Sequence, residues 1–328
     1  MDPIRVAVAG AGQFGRNHVR VARQTPGCIV TAVVDADEAR AREAAASCGE
    51  SCRALTSVDG LADLADAAVV ATPTSTHAAV GCALLDAGLD VLVEKPLAPS
   101  LAEARRLVET ARRRGRILQV GHLERFNPAV EALEQAVTVP LFFEIHRLSV
   151  FTPRSLDVDV VLDLMIHDLD IVLAVVGLDP SDIRAAGVSV LSGKVDIANV
   201  RLEFATGCVA NLTASRVSTE RVRKLRLFQP REYISLDYGK QHAVRFQVTP
   251  GPGVSFGELP SRQGEPLARQ FEAFLASVHT RSRPKIDGEA GARSLEVALA
   301  ILDRIEAHAA LVSRTLSGDA AGDGVAGP

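Results

Sequence analysis

The chain has 328 residues, 47% of them hydrophobic and 23% charged, so it is long enough for about two globular domains. Its 36 basic and 40 acidic side chains give a formal net charge of −4, which argues against a general nucleic-acid-binding or membrane-surface protein. No apolar run reaches the ~18 residues that span a bilayer, and residues 1–10 are typical of a strand rather than of a signal peptide. We therefore expect a cytoplasmic protein with no membrane insertion and no nucleic-acid partner.

Residues 1–121 alternate between short apolar runs, typical of strands, and longer stretches typical of helices. The predicted strands are 4–9, 29–34, 67–71, 90–93 and 117–120, and the predicted helices are 14–24, 76–87 and 101–114. Such alternation predicts βαβ units and a parallel sheet that is covered on both faces. We assign residues 1–121 to one α/β domain of this kind.

The pattern changes after residue 121. Helices are predicted over 128–135, 161–176, 266–279 and 290–311, and successive strands over about 184–247. Antiparallel strands that follow a βαβ domain predict a separate α+β domain, which we place at 122–316, and whose last helix can pack back on the first domain. Residues 317–328 are rich in Gly, Ala and Asp, which predicts a disordered tail.

A glycine motif opens the first predicted helix. Gly10, Gly12 and Gly15 form Gly-x-Gly-x-x-Gly directly after the first strand. In a dinucleotide-binding turn these glycines permit the tight turn, leave room for a pyrophosphate and let the helix pack closely on the strand. Asp35 ends the second strand, where a carboxylate can bind the hydroxyls of the adenosine ribose. The motif predicts a Rossmann domain that binds NAD rather than NADP. Arg40, which follows Asp35 in the chain, can reduce this preference.

Lys95 follows the predicted strand 90–93. Lysine is scarce in this chain, with five lysines against 31 arginines. An arginine keeps its proton near neutral pH, whereas a desolvated lysine can release it. Lys95 is therefore a candidate for proton transfer or for anchoring a substrate hydroxyl. The loop 71–77 follows a neighbouring strand, at the carboxyl edge where ligands bind in such folds.

The predicted helix 161–176 carries a second group of titratable residues. Asp163, His167 and Asp170 stand at i, i+4 and i+7, within about 60° of one another on a helical wheel. The rest of the helix is apolar apart from Asp168. Because such groups are costly to bury without partners, they are candidates for a polar site in which Asp163 orients His167 and His167 moves a proton. Taken alone, the helix is also compatible with one solvated stripe or with a structural His–Asp hydrogen bond.

Metal binding is not indicated. The cysteines are Cys28, Cys48, Cys52, Cys82 and Cys208, which form no Cys-x-x-Cys pair, and no nearby histidine completes a zinc pattern. We expect reduced thiols that fill small apolar spaces, and no metal centre.

The motifs GAGQFG, ATPTSTH, EKPLA and DLMIHD occur in this order, and together they resemble the glucose-fructose oxidoreductase, inositol dehydrogenase and MocA family over residues 4–310. The resemblance implies that Lys95 is the lysine of the family's EKP motif and that Asp163 and His167 match the Asp and His of its substrate-domain helix. Met165 stands where many relatives have glycine. The resemblance also implies a large, mostly antiparallel sheet in the second domain, often used for assembly, and hence a homodimer or homotetramer.

The site residues follow from the motifs and the resemblance together. The predicted catalytic residues are Lys95, His167 and Asp163. The predicted cofactor-binding residues are Gly10, Gly12, Gln13, Phe14, Gly15, Asp35, Thr72, Pro73, Thr74, His77, Glu94 and Lys95. Which of Lys95 and His167 is the base is left open.

Residues 121–128 and 154–170 resemble, more narrowly, bacterial enzymes that oxidise the C3 hydroxyl of UDP-N-acetylglucosamine for diamino-sugar lipid A. The basic stretch 216–231 suits the diphosphate of such a nucleotide sugar, although a solvated sheet face or a subunit contact would explain it equally well. The predicted substrate-binding residues are Lys95, Arg125, Asn127, Arg154, His167, Arg221 and Lys224.

Three alternative functions remain at this stage. The first is a dehydrogenase of UDP-N-acetylglucosaminuronate, whose extra carboxylate would need its own cation. The second is an inositol or free-sugar dehydrogenase, against which the basic stretch argues mildly. The third is a non-catalytic nucleotide-binding regulator, which would need neither Lys95 nor the Asp163–His167 pair.

Overall fold

The computed structural model describes residues 3–152, 158–251 and 253–317, the last three of these without their side chains. The chain divides into two compact units, residues 1–131 with 262–296 and residues 132–261 with 297–328. In this division residues 122–131 and 262–296 group with the first unit, and the domain bounds 1–121 and 122–316 stay a prediction.

The first unit contains a six-stranded parallel sheet. Its strands are β1 (Ile4–Ala9), β2 (Cys28–Val34), β3 (Arg53–Leu55), β4 (Ala67–Val70), β5 (Asp90–Glu94) and β6 (Leu118–Gly121). They lie in the order β3-β2-β1-β4-β5-β6, the order of a doubly wound dinucleotide-binding fold. The strands β4 and β5 are buried along their whole length, as expected for a parallel sheet covered on both faces. The predicted Rossmann fold is confirmed.

The helices of both units are α1 (Gln13–Gln24), α2 (Glu38–Ala46), α3 (Thr74–Asp86), α4 (Leu101–Arg114), α5 (Pro128–Ala136), α6 (Ile166–Val176), α7 (Pro266–Thr280) and α8 (Gly288–Ser317). Of these, α2 was not predicted, because its buried residues are only Ala41, Ala44 and Ala45. Alanine gives a helix a small buried face that hydrophobic periodicity detects poorly.

Helix α7 belongs to the core of the first unit. Phe271 and Phe274 are fully buried in one cluster with Val6, Val8 and Val33 of the parallel sheet. Burying two aromatic side chains contributes several kcal/mol on the usual scale of about 25 cal/mol per Å². This packing explains why residues 262–296 group with the first unit rather than with the second.

The second unit contains an eight-stranded sheet. Its strands are β7 (Phe142–Val150), β8 (Asp182–Val188), β9 (Ile197–Glu203), β10 (Val209–Ser218), β11 (Val222–Gln229), β12 (Glu232–Asp237), β13 (His242–Val248) and β14 (Val254–Glu258). Their order is β14-β13-β12-β11-β7-β10-β9-β8. Among the described strands of this second sheet, only the β7–β10 pair is parallel, so the predicted large and mostly antiparallel sheet is confirmed.

Strand β7 lies in the middle of this sheet but was not predicted. Its alternation places Phe143, Ile145 and Arg147 on the buried face and Glu144 and His146 on the other. An arginine at a buried position breaks the apolar–polar alternation on which strand prediction depends.

The exposed face of the second sheet carries an aromatic row. Its members are Phe142, Phe228, Tyr233, Phe246 and Phe256, which are direct cross-strand neighbours on five adjacent strands. Successive ring centroids lie 5.8, 4.8, 5.3 and 4.9 Å apart. Phe256 is 63% exposed, so the row presents a contiguous apolar surface.

No helix in the described ranges is long and apolar enough to cross a membrane. Nearly all of the tail predicted to be disordered, residues 317–328, lies outside the described residues, which end at 317.

Candidate active site

The glycine turn brings three backbone segments into contact. Gly10 has φ 97°, and a Cβ there would lie 2.4 Å from the carbonyl oxygen of Ala71, in the loop after β4. A Cβ at Gly15 would lie 1.7 Å from the carbonyl oxygen of Gly10. At Gly12 a Cβ would meet nothing within 4 Å, and no side chain caps α1 there. The N–H groups at the start of α1 therefore face an open space, which suits an anion.

The Asp35 carboxylate fixes this turn from the neighbouring strand. Its Oδ2 accepts a hydrogen bond of 2.7 Å from the backbone N–H of Ala11. Its Oδ1 accepts one of 2.9 Å from the backbone N–H of Asp37. Each carboxylate oxygen keeps further acceptor capacity, so Asp35 can hold the turn and still bind a ribose hydroxyl.

A cleft of about 890 Å³ lies along the carboxyl edge of the parallel sheet. It is lined by the predicted residues Gly10, Gly12, Gln13, Phe14, Asp35, Thr72 and Pro73, and also by Ala9, Val34, Ala36, Asp37, Arg40, Thr56, Ser57, Val58, Ala71, Thr76 and Val80. Its volume lies in the usual range of small-molecule sites, about 300–1,000 Å³. The open glycine turn and the acidic strand end together fit a dinucleotide.

Five predicted cofactor residues do not line this cleft: Gly15, Thr74, His77, Glu94 and Lys95. Gly15 supports the turn through its close approach to Gly10. Thr74 begins α3. His77, Glu94 and Lys95 lie at or behind the same sheet edge.

His77 connects two loops from behind the cleft. It is 1% exposed, and its two ring nitrogens each lie 2.9 Å from a backbone carbonyl oxygen, Nδ1 from Pro96 and Nε2 from Thr72. Burial lowers the pKa of His77, which favours the neutral ring. His77 thus joins the loop after β4 to the turn after β5, and its direct contact with a cofactor stays a prediction.

Glu94 also turns into the protein rather than toward the cleft. Its Oε1 lies 2.7 Å from Nε2 of His18, which is completely buried on α1. Its Oε2 accepts a hydrogen bond of 3.3 Å from the backbone N–H of Lys95. A Cβ at Gly121 would lie 2.7 Å from this carboxylate, so the glycine makes room for it. The cofactor contact of Glu94 stays a prediction, and its partner His18 is a residue that sequence reasoning missed.

The only sequence signal for His18 was indirect. A glutamate at the end of a fully buried strand needs a hydrogen-bond partner, because an unpaired buried charge is costly. That signal predicts a partner for Glu94 but does not say which element supplies it.

Lys95 follows β5 and is partly buried. Because β4 and β5 are parallel neighbours, with Val70 opposite Val93, Lys95 lies at the same sheet edge as Thr72. This position suits a group that exchanges a proton with a ligand bound along that edge.

Arg125 and Asn127 follow β6 and are nearly buried, with exposures of 9% and 2%. Asn127 Oδ1 accepts a hydrogen bond of 3.1 Å from the backbone N–H of Ala129, at the start of α5. The carbonyl oxygen of Arg125 accepts one of 2.7 Å from Nζ of Lys285. Both residues order this turn, and their contact with substrate stays a prediction.

In the second unit, Asp163 and His167 lie on one continuous helical run. Val161–Met165 is a π-helical turn that leads directly into α6. The sequence predicted an ordinary helix here, but the N–H of Ile166 bonds to the carbonyl of Val161, five residues back. Asp163 lies in the wide turn and His167, 8% exposed, follows it. Single π turns are frequent at functional sites, and the catalytic roles of both residues stay a prediction.

Asp168 is held by a buried ion pair that the sequence did not reveal. Its two carboxylate oxygens accept hydrogen bonds of 2.7 and 2.8 Å from Nε and Nη2 of Arg147 on β7. The hydroxyl of Tyr238 donates to the same carboxylate at 3.0 Å, and the Arg147 guanidinium lies 4.9 Å from the Tyr238 ring centre. Arg147 and Asp168 are each 2% exposed or less. The pair fixes α6 to the buried face of the sheet, one residue beyond His167.

The basic stretch 216–231 divides between the two faces of the sheet. Arg223 is directly opposite Arg147 and shares its face, which is also the face of α6. Lys224, the next residue, points to the opposite face, and Arg221 is exposed just before β11. Lys224 therefore lies on the sheet face opposite to α6, and its predicted contact with a diphosphate stays a prediction. Arg154, the other predicted cation, lies outside the described residues.

Two further arginines of this stretch already have acidic partners. Arg226 donates to Glu144 at 3.0 Å on the exposed face. Arg216 is 6% exposed and pairs with the fully buried Asp196 at 3.6 Å. Although burial raises the pKa of Asp196, hydrogen bonds from the Ser192 hydroxyl and from backbone N–H groups outweigh it and hold the pKa well below its usual range. The positive charge available for a diphosphate is therefore smaller than the sequence count indicates.

The five cysteines are free thiols. Within the described ranges, no group of three or more His, Cys, Asp or Glu side chains is placed to hold a metal ion.

Two family models match the chain. The model of the oxidoreductase family with an NAD-binding Rossmann fold matches residues 4–122. The GFO/IDH/MocA C-terminal domain matches residues 140–231.

Among curated relatives, the UDP-N-acetylglucosamine 3-dehydrogenase of Acidithiobacillus ferrooxidans is 38% identical over 313 residues, which cover 94% of this chain and 99% of the relative. An inositol 2-dehydrogenase of Rhizobium meliloti is 24% identical and is covered to 94% of its length.

Solved structures agree with this similarity. The Acidithiobacillus ferrooxidans enzyme superposes with a TM-score of 0.88 at 37% identity, covering 94% of this chain and 99% of the other. An oxidoreductase from Agrobacterium radiobacter, solved with NAD⁺, L-tartaric acid and magnesium, has a TM-score of 0.83 at 17% identity over 92% of this chain and 96% of the other, and thus shares the fold.

Proposed function

The chain belongs to the GFO/IDH/MocA oxidoreductase family, and we propose that it is an NAD-dependent dehydrogenase that oxidises the C3 hydroxyl of UDP-N-acetylglucosamine. The observation that carries this proposal is the similarity, over 94% of this chain and 99% of the relative, to an enzyme with that activity. The narrower sequence resemblance supports the same substrate and places the 3-keto product in the synthesis of diamino-sugar lipid A.

The cleft in the first unit is the proposed NAD site. The N–H groups at the start of α1 bind the pyrophosphate across the open side of Gly12, and Asp35 binds the adenosine ribose. When bound, NAD supplies the nicotinamide ring that accepts a hydride from the substrate carbon. Asp35 and Asp37 make the adenosine end of the cleft acidic, which supports NAD over NADP.

Oxidation of the hydroxyl also requires a group that takes its proton. Lys95 and His167 are the two candidates. A lysine at a partly buried strand end can exchange a proton, and an imidazole can do so near neutral pH. Asp163, one helical turn before His167, orients the imidazole. The Glu94 and Asp168 carboxylates hold the backbone next to each candidate and do not take part in the proton transfer themselves.

Binding of the nucleotide sugar requires cations for its diphosphate and hydrogen bonds for its hydroxyls. Arg223 lies on the sheet face that packs against α6, whereas Lys224 points to the other face, and we propose Arg223 together with Arg221, just before β11, for this role. Arg154 stays a candidate, and Arg125 and Asn127 are proposed to contact the sugar hydroxyls. An inositol dehydrogenase has no diphosphate to bind, so this cation pair favours the nucleotide sugar over the free polyol.

We predict that Asp35→Ala weakens NAD binding more than NADP binding. NAD loses its ribose acceptor, whereas NADP also loses a repulsive charge beside its 2′-phosphate. Calorimetric titration should show roughly a tenfold or larger rise in the NAD dissociation constant, equal to about 1.4 kcal/mol. The matched control is Asp303→Ala, at an exposed position on α8. Equal weakening of both cofactors would remove Asp35 from cofactor selection.

We predict that Lys95→Met and His167→Asn each lower turnover by roughly 10²–10⁴ while NAD still binds, because each variant removes a proton-transfer or positioning group. Rapid-quench product analysis together with calorimetry separates the two effects. Lys194→Met and His308→Asn, both at exposed positions, are the matched controls. Lys95→Arg keeps the charge but not the ability to accept a proton. Near-full turnover in a variant would exclude its residue from the mechanism.

We predict that UDP-N-acetylglucosamine is preferred over its uronic acid counterpart. The experiment is direct competition between the two UDP-sugars, with mass detection of the loss of two hydrogens, since absorbance misleads if NADH stays bound. A preference for the uronic acid of about tenfold or more in kcat/KM, near 1.4 kcal/mol in transition-state binding, would overturn the substrate but not the dehydrogenase.

We also predict assembly into at least a homodimer through the exposed face of the second sheet. The aromatic row gives this face an apolar surface of the kind that is buried in stable interfaces. Light scattering at micromolar concentration should give a dimer or tetramer, and Phe228→Asp should shift it toward monomer. Leu311→Asp, at an exposed apolar position on α8, should leave the assembly intact. A monomeric unmodified protein would refute the prediction.

A further inference from the structure

The adenosine end of the cleft contains two carboxylates and one guanidinium. Among the described lining residues of the cleft, the charged ones are Asp35, Asp37 and Arg40. Arg40 also lines an adjoining pocket of about 500 Å³, together with Gly12 and Gln13 at the glycine turn. Arg40 is therefore the cation through which this region could accept an additional phosphate.

Arg40 is held by Asp37. Oδ2 of Asp37 lies 3.1 Å from Nε of Arg40, and Oδ1 accepts hydrogen bonds from the backbone N–H groups of Ala39 and Arg40 at 3.0 and 3.2 Å. One carboxylate thus caps α2 and pairs with the guanidinium. Because the cap fixes the carboxylate, the ion pair is formed by a preorganised acceptor rather than by two freely moving side chains.

The other guanidinium near this pocket belongs to Arg16, and it is paired with Glu43. Arg16, which lines the adjoining pocket, donates two hydrogen bonds to Glu43 at 3.0 and 2.8 Å and one to the carbonyl oxygen of Ala11 at 3.2 Å. Asp35 differs from Asp37 because its Oδ2 accepts a hydrogen bond from the backbone N–H of Ala11 in the glycine turn, while its Oδ1 accepts one from the backbone N–H of Asp37. Changing Asp35 therefore disturbs the turn itself, whereas changing Asp37 alters mainly the charge and the freedom of Arg40.

We propose that Asp37 is a specificity-determining residue that excludes NADP by holding Arg40 in an ion pair. This inference rests on the proposed binding of NAD in the cleft. A 2′-phosphate brings roughly −1.5 to −2 charges near neutral pH. It would meet the Asp35 and Asp37 carboxylates, while the guanidinium that could neutralise it is already paired. Discrimination thus combines repulsion with the withdrawal of a cation.

The test is the ratio of the dissociation constants of NADP and NAD, measured by calorimetric titration without substrate. Asp37→Ser and Asp37→Asn both keep a side chain that caps a helix but lose the charge. We expect either variant to lower the NADP/NAD ratio about tenfold, since Arg40 becomes available to the 2′-phosphate. Adding Arg40→Ala to Asp37→Ser should remove most of this change and leave less than about a threefold difference from the unmodified protein.

The matched control is Glu38→Ser. Glu38 is the next residue on the same helix turn, is exposed, and pairs with Arg42 at 2.5 Å rather than with Arg40. Removing its charge should leave the NADP/NAD ratio within about twofold, because Glu38 does not hold Arg40 and the field of an exposed carboxylate is screened by salt. Thermal unfolding of each variant establishes that the cap and the fold are kept.

The outcomes distinguish this inference from the proposed function. A ratio unchanged by Asp37→Ser and Asp37→Asn would overturn the role of Asp37 while leaving NAD binding in place. A full tenfold change that persists in the double variant would overturn the withdrawal of Arg40, because simple repulsion would then explain it. Failure of the unmodified protein to bind NAD would overturn both the proposed function and this inference.

Discussion

The contact between Gly10 and the loop after β4 is the constraint on which the cofactor half of the molecule depends. A Cβ at Gly10 would lie 2.4 Å from Ala71 and one at Gly15 would lie 1.7 Å from Gly10, so neither position accepts another residue without moving backbone. This close approach sets the start of α1 against the carboxyl edge of the sheet. It also places the N–H of Ala11 within reach of Asp35, which joins β1 to β2 at the same edge. The open start of α1 and the position of the Asp35 carboxylate are thus fixed by one packing contact.

Much of the first unit could be predicted from the sequence because its signals are local. A buried parallel strand is a short apolar run. Helix α4 was predicted with its observed bounds, Leu101–Arg114. Local residues define both of its ends, because Ser100 caps the start and Gly115 ends the helix in a left-handed conformation. The missed elements lack these signals. Helix α2 buries only alanines, β14 is exposed at a sheet edge, and β7 carries Arg147 at a buried position. In β7 the ion pair with Asp168 allows Arg147 to be buried, and this tertiary contact is absent from the local sequence pattern.

The candidate site likewise contains residues that could be placed from the sequence and residues that could not. The glycines that line the cleft, such as Gly10 and Gly12, could be placed from spacing alone. The roles of His77 and Glu94 could not, because they depend on which atoms lie behind the loop: two carbonyl oxygens for His77, and His18 for Glu94. His18 and Glu94 are 76 residues apart, and no periodicity connects them. A motif indicates that a residue matters to the site, whereas contact with the ligand is decided by packing.

Each proposed proton-transfer residue is a direct neighbour in sequence of a buried carboxylate with a distant partner. Lys95 follows Glu94, which pairs with His18, and His167 precedes Asp168, which pairs with Arg147. Buried pairs of this kind contribute little net stability, because the cost of removing both charges from water offsets most of their attraction. Their effect is geometric: they fix the rotation of a strand end and of a helix, and so the direction of the adjacent side chain. In both units the buried carboxylate supplies rigidity next to the residue that we propose for proton transfer.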